Sequence, residues 1–428
     1  MWPAGLLRGH GARWPMHAGR ARLWHVASVR WSSRVGEPAS VTVTEKRLRE
    51  FVNAEIGYFA GMCAQPVKLA QIFTAGTLES AASLIHKHFP VHFATRIRQI
   101  EALPHWDAVP ELLDVHDTLS ESFRNLRLLD SKSSDLEPLT RCIHDLRSRH
   151  KGIVCLLGIA MASLRAEGVV DEAFANDWLN RFLLARISTE MLTTHYILLA
   201  SGEGARGGGS CCGIVDSRCD PGEICRQAVS NICRDPRFSA IDVRVESHVC
   251  WTSEKGPEFS FLPQYLQLLV EEVLKNSAWA TVRAASSSSS ARTAPGASSA
   301  DGRLSPITIF VGSDDRQVMI EISDKGGGIP PQQQDRIWSY CGGAGVRIPS
   351  YQQVEEASAA PHKQLGFSWM DPLSGIGLKQ RLGMGLPLTR LYTEYLGGKL
   401  ELMSIPGVGV DTFINLRRID SESLDSLG

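Results

Sequence analysis

A chain of 428 residues with 43% hydrophobic residues and a formal net charge of −1 has room for about two domains at roughly 150 residues each. The near-neutral charge gives no global case for nucleic acid or an anionic membrane surface. No window nears the roughly 18 uninterrupted apolar residues of a membrane span, so no integral membrane segment is expected. The ten cysteines, Cys211, Cys212, Cys219, Cys225 and Cys233 among them, form no paired CxxC, which argues against zinc and for reduced thiols.

Residues 1–36 carry Arg8, Arg13, Arg20, Arg22, Arg30 and Arg34, with no acidic residue before Glu37. An Arg-rich, acid-free leader without a continuous apolar run has the composition of a mitochondrial transit peptide. From about residue 40 to 200 the period is helical. Asp171 suits an N-cap, and Phe174, Trp178, Phe182, Leu183 and Ile187 recur at three- and four-residue steps behind it. Similar stripes cover 107–129 and 134–166, so a helical bundle is expected over 40–235. The glycine-rich run 202–210 is a flexible break.

After it the period changes to two. Ile241, Val243 and Val245 alternate, as do Ile307, Ile309 and Val311, then Val318, Ile320 and Ile322, and finally Thr412, Ile414 and Leu416. Helices at 263–283 and about 386–397 separate these runs. The expectation for 240–420 is a mostly antiparallel sheet with helices on one face. Residues 285–302, rich in Ser and Ala, read as a disordered insertion, and 340–382 as a lid over a ligand.

Three short segments carry the chemistry. On the helix 263–283, Leu268, Glu272 and Asn276 are four apart and fall on one side. The Asn276 carbonyl is a hard ligand suited to Mg2+, Glu272 suits a base that orients or deprotonates a hydroxyl, and Lys275 suits a phosphate. Asp324-Lys-Gly326-Gly-Gly328-Ile329-Pro follows a strand. Its aspartate suits an amino group such as that of adenine, and its glycines allow backbone to approach a ligand closely. Gly383-Met384-Gly385-Leu386 opens the last helix, where free N–H groups and the helix dipole favour phosphate. Gly407-Val-Gly409-Val-Asp-Thr412 turns into the final strand. In this order the set is an arrangement for Mg-ATP.

The set resembles the nucleotide boxes of the GHKL ATPase superfamily. Glu272-x-x-Lys275-Asn276-x-x-x-Ala280 is similar to the box of the mitochondrial 2-oxoacid dehydrogenase kinases. Arg147-Ser-Arg-His150, Trp178-Leu-Asn-Arg181-Phe182 with Arg186-Ile187-Ser188, Thr194-His195 and Gly213-Ile214-Val215 resemble motifs of that family's helical half. Tyr392-Thr-Glu-Tyr-Leu-Gly-Gly-Lys399 is closer to its branched-chain branch. The resemblance implies an α+β chain: an N-terminal four-helix bundle, then a GHKL-type ATP-binding domain. It implies a serine kinase of the mitochondrial matrix acting on the E1α subunit of a branched-chain or pyruvate dehydrogenase complex, with ATP, Mg2+ and K+. It further implies docking on an E2 lipoyl domain, a homodimer, and a bundle pocket for acidic regulators at His150 and Arg186. Glu272 becomes the general base, Asn276 the Mg2+ ligand, Asp324 the adenine partner, and Gly326, Gly328, Ile329, Gly383, Met384, Gly385, Leu386 and Thr412 the nucleotide loops. Four positions depart from the family pattern. Leu268 stands for a His, Trp279 for an Arg, Val410 for a Thr, and Arg381 for a Gly. These departures motivate a second reading, an ATP-binding adaptor on a lipoyl domain.

Overall fold

The computed structural model describes residues 29–30, 40–41, 44–131, 133–202, 211–249, 259–291, 304–314, 316–340 and 383–418. The remainder of the leader, the break at 203–210, residues 292–302 and the expected lid beyond Tyr340 lie outside the described residues. The chain divides into Met1–Asn53 and Ala54–Gly428. In the first unit, β1 (Val29–Arg30) pairs antiparallel with β2 (Ser40–Val41), and the helix α1 (Glu45–Ala60) begins.

The second unit has a helical part and a sheet part. The helical part holds α2 (Leu69–Thr74), α3 (Leu78–Glu101), α4 (Pro110–Arg127), α5 (Glu137–Arg149), α6 (Ile153–Ala166) and α7 (Glu172–Ser201). α3 packs on α4 and α7, α4 on α5 and α6, and α7 on α5 and α6. Their shared core contains Phe89, Phe93, Leu119, Phe123, Trp178 and Phe182, all buried. α7 starts where its cap predicts: the Asp171 carboxylate accepts the Phe174 N–H at 2.7 Å. The stripe expected over 134–166 is two helices, because Gly152 takes φ +81° and breaks the turn after His150.

The sheet part is a five-stranded mixed sheet in the order β5-β7-β8-β10-β9. Its strands are β5 (Val243–Val249), β7 (Ile307–Ser313), β8 (Gln317–Asp324), β9 (Lys399–Ile405) and β10 (Gly409–Arg417). Only β5 and β7 pair parallel; every other ladder is antiparallel. The period-two residues Ile307, Ile309 and Val311, and Val318, Ile320 and Ile322, are buried. Three helices cover the sheet: α8 (Pro221–Cys233), α9 (Pro263–Ala291) and α11 (Gly385–Tyr395), with the short α10 (Pro331–Gln334) between the last two in sequence. A smaller sheet joins β3 (Cys211–Cys212), β4 (Val215–Cys219) and β6 (Phe259–Phe261) in that order.

Two sequence boundaries are corrected. α9 does not end at 283 but runs to Ala291, so the first residues of the expected insertion are helical. Alanine favours helix, and the Ser286 hydroxyl is satisfied by the Val282 carbonyl at 2.9 Å, so these residues are accommodated within the helix. The last helix runs over Gly385–Tyr395 and ends before Gly397 at φ +75°.

Candidate nucleotide site

α9, the loop after β8 and the start of α11 enclose a cavity of about 430 Å³. Asn276, Asp324, Gly326, Gly328, Ile329, Gly383, Gly385, Leu386 and Thr412 all line it. These residues are up to 136 positions apart in sequence (412 − 276), and the fold gathers them on one space.

The two glycines of the loop after β8 have distinct reasons. A Cβ on Gly326 would lie 2.5 Å from the Ala280 Cβ, so only glycine lets the loop lie against α9. Gly328 has φ +69°, and a Cβ there would meet the Ile405 carbonyl oxygen at 2.3 Å. The loop is sewn to the β9–β10 turn: Gly407 N–H donates to Gly327 O at 2.8 Å, and Gly327 N–H to Val408 O at 3.2 Å. The Gly407–Gly409 turn thus supports the loop that frames the cavity.

Asp324 is 4% exposed and ends β8 at the cavity wall. Burial pushes its carboxyl above the usual carboxylate range, partly offset by bonds from the Gly326 N–H, at 2.9 Å, and the Ser277 hydroxyl. Val273, Ala280, Leu402 and Val410 line the same space. Apolar walls around one buried acceptor suit a flat heteroaromatic ring carrying an amino group.

Glu272, Lys275 and Met384 stand differently from the sequence expectation. Glu272 is 7% exposed and does not line the cavity. Its Oε1 accepts the Lys275 ammonium at 3.1 Å, and a Cβ on Gly385 would come 3.1 Å from its Oε2. The carboxylate therefore sits beside the first turn of α11. Lys275, expected on a phosphate, is spent on Glu272. Met384 is fully buried and packs as core, because the backbone before α11 turns its side chain inward. Leu268, one turn before Glu272, is only half-buried. Trp279 faces away from the cavity: its ring meets Phe238 edge-on at 5.2 Å and carries Arg237 at 4.8 Å.

Sequence reasoning missed Arg283, Gln333, Arg336, Ile337 and Ser339, which also line the cavity. Arg283 is the last residue of the expected helix, and the signal was present in its spacing of seven and three from Asn276 and Ala280, which line the same space. Gln333 to Ser339 gave no periodic signal, since α10 and the 3-10 turn Asp335–Trp338 are too short for one.

His150 and Arg186 do come together, at a second cavity of about 30 Å³ lined also by Arg147, Lys151, Glu190 and Thr193. Ser122 Oγ and His150 Nε2 are hydrogen-bonded at 2.9 Å. Burial, then Arg96 and Arg186, push the His150 imidazole well below its usual range. Arg186 is paired with Glu190, which also accepts the Tyr392 hydroxyl at 3.2 Å. His195, of the Thr194-His195 motif, is fully buried and bonded to the Ala75 carbonyl at 2.7 Å. Neither histidine is presented to a nucleotide. Among the described residues no three His, Cys, Asp or Glu side chains cluster as a metal site, and no helix is long and apolar enough to cross a membrane.

A family model described as mitochondrial branched-chain alpha-ketoacid dehydrogenase kinase matches residues 63–216, most of the helical part. The mitochondrial pyruvate dehydrogenase (acetyl-transferring) kinase of Arabidopsis thaliana is 28% identical over 81% of this chain and 87% of its own. Isozyme 4 of the human enzyme is 26% identical over 88% and 87%, and that of Ictidomys tridecemlineatus 25% over 88% and 86%. The alignments to these relatives extend over four fifths or more of the chain. The chain is thus similar over most of its length to mitochondrial 2-oxoacid dehydrogenase kinases. The names of these relatives support a protein kinase, a phosphotransferase, and a mitochondrial location. Trp279 and Met384 do not line the cavity and serve packing.

Proposed function

We propose that the chain is a mitochondrial-matrix serine kinase that uses Mg-ATP to phosphorylate, and so inactivate, the E1α subunit of a 2-oxoacid dehydrogenase complex, branched-chain or pyruvate. The observation that carries this reading is the single cavity that gathers Asn276, Asp324 and both glycine segments, with Glu272 at its edge.

The residues fit the group. Asp324, buried among apolar side chains, would accept the adenine amino group, with Thr412 and Ile329 beside the ring. Gly326 and Gly328 keep the backbone close, and Gly383, Gly385 and Leu386 bring free N–H groups of the α11 start to the phosphates. The exposed amide of Asn276 would hold Mg2+, which when bound offsets phosphate charge, and K+ would add to that role. Lys275 fixes one Glu272 oxygen, leaving Oε2 beside α11 to take the serine proton as the serine oxygen bonds to the γ-phosphorus and ADP leaves. Arg283 and Arg336 place positive charge on the cavity wall.

The helical part is proposed as the regulatory four-helix bundle, with the E2 lipoyl domain as its partner and an acidic regulator at His150 and Arg186. A homodimer through the sheet is proposed too. The exposed Met403, Ile405 and Val408 on the edge strand and its turn supply apolar surface for it.

The test is labelled-phosphate transfer from Mg-ATP to the E1α proteins of both complexes, each with its E2 lipoyl domain. Transfer to one acceptor, reduced at least about hundredfold by Glu272→Gln, is expected. A preparation that binds Mg-ATP yet transfers to neither acceptor overturns the kinase reading in favour of the adaptor.

A further inference from the structure

One wall of the nucleotide cavity is built from a segment with little regular structure of its own. Arg336, Ile337 and Ser339 line the cavity, yet they follow a helix of four residues and a 3-10 turn, too short to be stable alone. The position of this wall is set from the helical part. Asn176, on α7, donates from Nδ2 to Ser339 Oγ at 3.0 Å and accepts the Tyr340 N–H on Oδ1 at 2.9 Å. One turn along the same helix, Asn180 accepts the Tyr340 hydroxyl at 2.8 Å. Arg165, on α6, donates to the Tyr340 carbonyl at 3.1 Å and is itself held by Glu172 at 2.8 Å. The Tyr340 ring is 2% exposed. On the other side, Arg390 of α11 lies 4.9 Å over the Trp338 ring.

We propose that Asn176 is a positioning residue for nucleotide binding, acting from α7 through Ser339 and Tyr340 to fix one wall of the cavity. The inference rests on the reading of that cavity as the Mg-ATP site. Both functional groups of the Asn176 amide are used on two successive wall residues, a two-point grip that fixes orientation as well as distance. Asn176 does not itself line the cavity. Its loss would let the wall visit other arrangements, and apparent affinity would fall by the fraction of molecules still competent to bind. A saturated enzyme regains the competent arrangement, so the effect falls on KM and Kd rather than on kcat.

The test is calorimetric binding of Mg-ATP to the full chain, together with KM and kcat for phosphate transfer. Asn176→Ala is expected to weaken binding about tenfold and raise KM alike, with kcat within about twofold. Asn176→Asp keeps an oxygen for the Tyr340 N–H and is expected to recover most of the loss. Tyr340→Phe removes one bond from the same grip and is expected to weaken binding about threefold; it serves if Asn176→Ala fails to fold. Ile143→Val, in the helical core away from the wall, controls for general loosening and is expected to leave Kd unchanged. Unchanged Kd in Asn176→Ala, an equal weakening by Ile143→Val, or a loss confined to kcat overturns the proposal while the nucleotide reading stands. Wild type that binds no Mg-ATP overturns both.

Discussion

The sheet cavity and the helical cavity differ in what lines them. The one at the sheet holds about 430 Å³ of space, walled mainly by glycines and apolar side chains, with the buried acid Asp324 and with Arg283 and Arg336. The one in the helical part has about 30 Å³, and charges crowd it: Arg147, His150, Lys151 and Arg186 against Glu190. The first is shaped by missing side chains and is ready for a ligand. The second is held together by charges that answer one another, so its groups serve stability first.

That contrast is open to direct attack. The largest effect is expected at the sheet cavity. Asp324→Lys puts an ammonium where the acceptor stands and should abolish Mg-ATP binding in calorimetry while the protein stays folded. Normal ATP affinity in that variant would show that the cavity has been misassigned. Gly326→Val should weaken binding at least tenfold, because its side chain must displace Ala280 from a 2.5 Å approach.

At the helical cavity the readout shifts from binding to stability. Glu190→Gln leaves the Arg186 guanidinium buried without its carboxylate, and denaturant unfolding should show a loss of about 3–5 kcal/mol. A change under about 1 kcal/mol would mean that solvent reaches this pair. The pH dependence follows from the histidines. His92, 1% exposed, is held down to about 3, by burial first and then by Arg96. His150 is held well below 6.5 for the same reasons. Both fold neutral, so the unfolded chain binds more protons as pH falls. Stability should therefore be full above pH 6.5 and decline towards pH 3, with a limiting slope of about 1.4 kcal/mol per pH unit for each histidine. His92→Gln should flatten the profile measured by thermal unfolding between those values. The smallest effect belongs outside both cavities. Arg141→Ala removes an exposed pair with Glu137 at 3.6 Å, and a change within about 0.5 kcal/mol is expected in the same unfolding assay.

Much of the sheet cavity was legible beforehand because its chemistry lies in short local patterns. An aspartate at a strand end with glycines after it, and glycines before a helix, keep their meaning wherever the fold carries them. Thus Asn276, Asp324, Gly326, Gly328, Gly383 and Gly385 were named in advance and meet at one space. Lys275 has two acceptors within reach of its spacing, a phosphate and the carboxylate one turn away, and the structure pairs it with Glu272. The serine run after 284 was misread because composition outweighed its continuity with a strong helix.

By itself the sequence determined the periods, the caps and the glycine positions: a helical part, then a mostly antiparallel sheet with helices on it. Those features depend on neighbours within a few residues. Only the tertiary structure decided that Trp279 packs on Phe238, that Glu272 sits beside the start of α11, and that Asn176 reaches Ser339 from 163 residues away. Each of these is a contact between separate elements, set by how faces pack after the helices and strands have formed, and no local pattern encodes it.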